Sequence, residues 1–197
     1  MKKLSFISAL IFFMGSTIIS NAQENLTKKF FVGYELLEMS MNEFKYFAGE
    51  VGYRFNPKHQ LSLSIGEVDM TERHLSSNEA AAVDGDNVEG YFRIYELTYS
   101  RFFGKRKLWH YGANVGYVYD EYDHLISDNE IKNHTLTAGV NFGFQKMDIF
   151  KIKHLYLRVL IPIRYNFNSI PEQEWGDTTI REHKFVPNTW LFLGYRF

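Results

Sequence analysis

A histidine and two serines stand close together in Arg73-His74-Leu75-Ser76-Ser77-Asn78. Hydrolysis by a nucleophile needs those residue types: a hydroxyl to attack and an imidazole to take its proton. Adjacency in the chain does not supply the required contact, and a loop histidine beside solvated serines accounts for the same run, so no catalytic residue is assigned. A second set of residues is charged rather than nucleophilic. Glu35, Glu50 and Glu96, with Arg54, Arg158, Arg164 and Arg196, sit inside segments that are otherwise apolar or small. Charges enclosed in a low-dielectric space are heavily penalised unless paired, so these read as an internal salt-bridge network. Histidines such as His59, His110 and His154 form no HExxH or similar spacing, and the chain has no cysteine. That removes a disulfide framework, a thiolate nucleophile and a zinc site of the CxxC kind. Asp84-Gly85-Asp86-Asn87 is too short for a calcium loop and lacks its spaced glutamate. Neither a metal nor a cofactor is expected.

The elements that carry those charges alternate at period two. From residue 30 onward, segments of 9 to 12 or so residues place an apolar side chain at every second position, the length a tilted membrane strand needs. Eight are read: FFVGYELLE from Phe30, FAGEVGYRF ending at Phe55, LSLSIGEV from Leu61, and FRIYELTYSRFF ending at Phe103, then LWHYGANVGYVY from Leu108, HTLTAGVNFGF from His134, HLYLRVLIPIRYNF from His154, and VPNTWLFLGYRF. The connections alternate as well. Residues 56–60, 104–107 and 145–153 are tight, whereas 69–90, 120–133 and 168–183 are long and only the first outer connection, around Met39 to Asn42, is short. Short turns on one side and long loops on the other predict an all-β, eight-stranded, antiparallel up-and-down transmembrane β-barrel.

Composition agrees. Aromatic residues make up 17% and there are four prolines. No stretch beyond the N-terminal segment is long enough for a membrane helix. In strand five, Tyr111, Ala113, Val115, Tyr117 and Tyr119 alternate with Gly112, Asn114 and Gly116. In strand six, Leu136, Ala138, Val140, Phe142 and Phe144 alternate with Thr137, Gly139, Asn141 and Gly143. An eight-stranded barrel has room inside for glycine and asparagine but not for dozens of rings, so the bulky face meets lipid. A secreted lipocalin-like barrel would reverse the faces and would carry lysine freely outside, yet lysine here keeps to strand ends and turns. Tyr53, Phe55, Tyr99, Tyr119, Phe144, Tyr165 and Tyr195 are placed to form interfacial aromatic girdles.

The two ends give the route. MKKLSFISALIFFMGSTIISNAQ has a basic start, a short apolar core and Ser20-Asn21-Ala22 before Gln23, the pattern of a secretory signal peptide. Residues 1–22 are expected to be cleaved, leaving about 175 residues, 23–197, as one barrel domain and taking the formal charge from −1 to −3. The other end, WLFLGYRF, points Leu191, Leu193, Tyr195 and Phe197 to one face and Trp190, Phe192, Gly194 and Arg196 to the other. It resembles the C-terminal recognition signal of outer-membrane barrel proteins, an aromatic terminus preceded at alternate positions by aromatic or aliphatic residues. That resemblance implies the outer-membrane assembly machinery as a partner. The whole mature chain resembles, in architecture, the small eight-stranded barrels of the OmpA transmembrane-domain and OmpX type. This places it in the outer membrane of a Gram-negative bacterium, with outer-membrane lipids and lipopolysaccharide as surroundings.

Three functions are compatible with such a barrel. Its charged lumen implies a plug rather than a pore, because eight strands leave no continuous channel once side chains are in place. Residues 69–90 and 120–133 are rich in carboxylates while the turns of the opposite side are basic. An acidic rim would share divalent cations with lipopolysaccharide phosphates, although solvated acidic loops explain the same runs. Arg73 to Asn78 also resembles the His-x-Ser-Asn run of outer-membrane lipid A deacylases, but an extra residue separates His74 from Ser77-Asn78 and the run lies in the second outer loop rather than near the late strands. The reading is therefore a non-enzymatic barrel whose work is done by its loops on an extracellular ligand or surface. A lipid A-modifying enzyme and a small-solute channel are the alternatives. Scattered basic residues and a mildly acidic balance exclude nucleic acid.

Overall fold

In the computed structural model, residues 29–41, 45–76 and 81–197 are described. The signal segment and Ser77 lie outside them. Alternating branched and aromatic residues form β1 (Phe30–Glu35), β2 (Tyr46–Asn56), β3 (His59–Asp69), β4 (Ala82–Asp84), β5 (Val88–Phe103) and β6 (Trp109–His124). They continue as β7 (Glu130–Met147), β8 (Leu155–Asn166), β9 (Gln173–Trp175), β10 (Thr178–Arg181), β11 (Phe185–Pro187) and β12 (Trp190–Arg196). Two short helices, α1 (Leu37–Met41) and α2 (Glu72–Leu75), interrupt the pattern.

Each barrel strand pairs antiparallel with its neighbour, in the order β1, β2, β3, β5, β6, β7, β8, β12. β12 returns to β1 and closes the ring of eight. At the seam the amide of Phe30 donates to the Phe197 carbonyl at 3.1 Å and the amide of Phe197 donates back at 2.8 Å. The last residue is thus a rung of the ladder. β11 continues the eighth strand along β8, with a break at Asn188 and Thr189 where Pro162 of β8 and Pro187 of β11 withhold ladder donors.

The exterior carries Val32, Leu97, Trp109, Val115, Leu136, Val140, Phe142 and Ile163, between 42% and 60% exposed. Gln60, Ser62, Ser64, Thr98, Ser100, Asn114 and Asn141 point inward and are almost wholly buried. A bulky apolar outside and a polar inside is the orientation of a lipid-embedded barrel. The lumen is less uniformly small and polar than its glycine content suggests, since Phe31, Tyr46, Phe92, Ile94, Tyr156, Leu160, Trp190 and Phe192 form a buried cluster there. Glycines on the facing strands make the room. A Cβ at Gly33 would lie 2.6 Å from the Tyr156 hydroxyl, and one at Gly52 would strike the Phe31 ring.

Several boundaries differ from the sequence reading. The first strand ends at Glu35 instead of running through residue 38, because the Glu35 carboxylate accepts the amides of Leu37 and Glu38 at 2.8 and 2.9 Å and turns the chain into α1. Residues 120–133 are largely strand: β6 and β7 stay paired from Trp109↔Phe144 out to Asp123↔Glu130. The other two long connections carry α2 with β4, and β9 with β10. Close strand approach yields a first prediction. A Cβ at Gly139 would drive into the Ile163 carbonyl and one at Gly112 into the Tyr99 carbonyl. Gly139→Leu or Gly112→Leu is expected to abolish the faster-migrating unheated band on a gel, whereas Leu136→Val on the lipid face leaves it intact.

Candidate functional site

Strand periodicity delivers charges to the lumen from different walls, and the structure joins them as two separate pairs. Arg158 of β8 sends Nη1 to Glu50 Oε2 of β2, and its guanidinium also donates to Ser62 Oγ at 3.1 Å and Ser100 Oγ at 3.0 Å. The Tyr156 hydroxyl donates to the remaining Glu50 oxygen at 2.9 Å. Further along, Arg164 Nε meets Glu96 Oε2, and Asn114 and Thr98 donate to the same carboxylate at 2.8 and 3.3 Å. All four charged side chains are sealed from solvent, at 2% exposure or less. Enclosure makes such pairs costly to break, because removing one partner leaves the other charged and dry.

The other expected members of the network lie elsewhere. Glu35 has no arginine partner among the described residues. Its carboxylate serves backbone amides, those of α1 and that of Leu191 on β12 at 3.0 Å, because the helix begins at that point and presents unpaired N–H groups. Arg54 donates to the Pro57 carbonyl at 2.6 Å and lies 3.9 Å from the Phe102 ring centroid. Arg196 donates to Met147 Sδ at 3.1 Å. Leu191, Leu193, Tyr195 and Phe197 share the outward face of the closing strand, with Tyr195 and Phe197 exposed and Trp190 and Phe192 buried in the lumen.

At the loop end the connections fold together. β4 pairs with β10 and β10 with β9, giving a three-stranded sheet outside the barrel. Ala81, Val83, Tyr122, Ile170, Trp175 and Ile180 form a second buried core beneath it. The Ala81 amide donates to the Tyr122 hydroxyl at 3.1 Å, and Thr178 Oγ1 donates to the Asp86 carbonyl at 2.9 Å, tying the second loop to the fourth. A cleft of about 410 Å³ opens beside this core, lined by Asp86, Asn87, His124, Ser127, Trp175 and Asp177 among others.

His74 is buried in α2, with Nε2 3.6 Å from Glu38 Oε2 of α1 and Nδ1 3.4 Å from Thr71 Oγ1. It packs one loop helix against the other. Ser77 is outside the described residues. Glu121, Asp123 and Glu130 converge within 4.8 Å. The Lys132 ammonium already pairs with Glu130 and lies 3.2 Å from Glu121. The Glu121 carboxyl is held below the usual glutamate range by the Tyr119 hydroxyl and then by Lys132.

A closed ring of eight antiparallel strands, lipid-facing outside and ion-paired inside, defines a small outer-membrane β-barrel protein, because only a closed barrel lets strands satisfy their backbone groups in lipid. The protein accordingly resides in the outer membrane. Similar solved structures include the N-terminal barrel domain of OprF from Pseudomonas aeruginosa, with 12% identity over 87% of this chain and 98% of that one, at a TM-score of 0.41. The attachment invasion locus protein Ail of Yersinia pestis has 13% identity over 86% and 97% of the two chains, TM-score 0.37. A major outer membrane protein of Thermus thermophilus has 14% identity over 86% and 98%, TM-score 0.44. No family model and no curated protein sequence matches the chain.

Sequence reasoning missed the neutral partners of the ion pairs and the cap. The pairs' helpers were signalled by Ser62, Thr98 and Ser100 at inward-facing positions of their strands. The cap was signalled by Ala80-Ala81-Ala82-Val83, Ile170, Trp175 and Ile180, apolar residues out of place in solvated loops. Truncating Glu50 to Ala strands Arg158, and losses of about 3–5 kcal/mol are typical for such a cut. A urea titration in lipid vesicles should show that loss for Glu50→Ala. The double variant Glu50→Gln/Arg158→Met should recover most of it. Ile180→Asp should leave the heat-shifted barrel band unchanged while exposing residues 168–184 to limited proteolysis.

Proposed function

We propose that this protein is exported with removal of residues 1–22, is inserted through the outward stripe Leu191, Leu193, Tyr195 and Phe197, and acts as a non-enzymatic surface-interaction protein. The observation that carries this reading is the second hydrophobic core. Loops that only connect strands need no core of their own, whereas a preformed recognition surface loses less conformational freedom on binding. The cap is acidic: Asp84, Asp86, Glu172, Glu174 and Asp177 outnumber Arg181 across its sheet and the adjoining turns. Its ligand is therefore neutral or cationic, and the Trp175 cleft with its polar rim is where it would sit.

The barrel serves as scaffold. The Glu50–Arg158 and Glu96–Arg164 pairs, with Trp190 and Phe192 behind them, support a lumen that is plugged and does not conduct. Lipopolysaccharide and the lipids of the outer membrane are its immediate partners through the aromatic exterior. The burial of His74 against Glu38 is a reason to prefer this reading to lipid A chemistry.

Reconstituted protein in planar bilayers is expected to give no discrete conductance steps, and steady channel events would overturn the plug. For the cap, nanodisc-embedded protein should be screened against arrays of neutral glycans and cationic peptides. The expected result is a bound class whose signal falls at least tenfold in Asp86→Asn/Asp177→Asn. A signal untouched by these substitutions, or by Trp175→Ala, would place recognition elsewhere.

A further inference from the structure

The opposite mouth has a different character. A cavity of about 430 Å³ opens at the turn end of the barrel, and its lining includes Arg54, Arg106, Lys107, Lys146 and Arg196 with no carboxylate among its residues. Among the described residues none of these five cations has an ion-pair partner. Asp148 lies outside this lining, and one of its oxygens accepts from the His154 amide at 2.7 Å. Five like charges gathered around one concavity repel one another, and an anion placed among them would relieve that repulsion.

The two arginines are held ready for this. Arg54 is fixed by the Pro57 carbonyl and stacked on the Phe102 ring. Arg196 leans on Met147, and its Nε is sealed from solvent without a hydrogen-bond partner. A planar guanidinium fork matches phosphate oxygens, and a phosphate has enough acceptors for several cations at once. The turns around the mouth, with Lys58, Lys105, Lys151 and Lys153, add to the positive field.

We infer that the turn-side mouth of the barrel is a binding site for a phosphate-bearing anion, held by Arg54 and Arg196 with Arg106, Lys107 and Lys146 around it. Phosphate reaches this level from two sources: the headgroups of the inner-leaflet phospholipids that surround the barrel, and soluble phosphate compounds in the periplasm. The site is independent of the extracellular cap.

The test uses full-length protein folded in a neutral, phosphate-free detergent. Titration calorimetry with inorganic phosphate and pyrophosphate, against chloride and acetate, reads the soluble arm. Native mass spectrometry of protein released from nanodiscs of mixed phosphatidylglycerol and phosphatidylcholine reads the lipid arm. Saturable phosphate binding, weakened at least tenfold in Arg196→Gln and Arg54→Gln, supports the site with a soluble ligand. Selective retention of phosphatidylglycerol, lost in the same variants and without free-phosphate binding, supports it with a headgroup as the ligand. If either arginine variant loses its heat-shifted band, Lys107→Gln and Lys146→Gln, which alter the cavity rim, carry the comparison. Silence in both arms overturns the proposal, as does acetate binding as tight as phosphate or binding unchanged in every variant.

Discussion

A strand placed in hydrocarbon must give every backbone N–H and C=O a partner, and this one requirement shapes the molecule. It forces β12 back onto β1 through a continuous ladder that ends with Phe197 bonded to Phe30. It also explains why the proline interruptions are confined to one segment, where Pro162 and Pro187 meet and the eighth strand breaks at Asn188 and Thr189. Eight strands then fix the bore, and the bore leaves room for side chains but not for a stream of water.

A narrow bore makes electrostatics strict. Glu50 and Arg158 face each other within a shell of Ser62, Ser100 and Tyr156, so each charged group finds a partner close by. Glu96 and Arg164 do the same with Asn114 and Thr98. The space left over is filled by rings, and each ring depends on a facing residue small enough to admit it, as Tyr156 depends on Gly33 and Phe31 on Gly52. Paired charges and interlocked rings fill the middle of the lumen, between two ends of opposite character.

Those ends are polarised. The loop end carries an acidic cap with its own core and a three-stranded sheet, while the turn end gathers arginines and lysines around a cavity without an acid. Placing like charges together costs free energy, so neither arrangement follows from folding the barrel.

The sequence by itself determined the barrel: period-two alternation, the rhythm of short and long connections, and a small, polar second face require closed strands in lipid, since side-chain direction is a local property of a strand. It also singled out charges at inward-facing positions, of which Glu50, Glu96, Arg158 and Arg164 are sealed in the lumen. Their partners were decided by tertiary structure. Strand tilt and register carried Arg158 to Glu50 and Arg164 to Glu96, whereas Glu35 turned to the amides of a helix that its own carboxylate begins. The cap's residues were marked only as apolar side chains out of place in loops, and their assembly was decided in three dimensions, since Val83, Tyr122, Trp175 and Ile180 come from three connections and no local period links them. Sequence pattern fixes which way a side chain faces; only the closed, sheared ring and the docking of its loops decide what it meets.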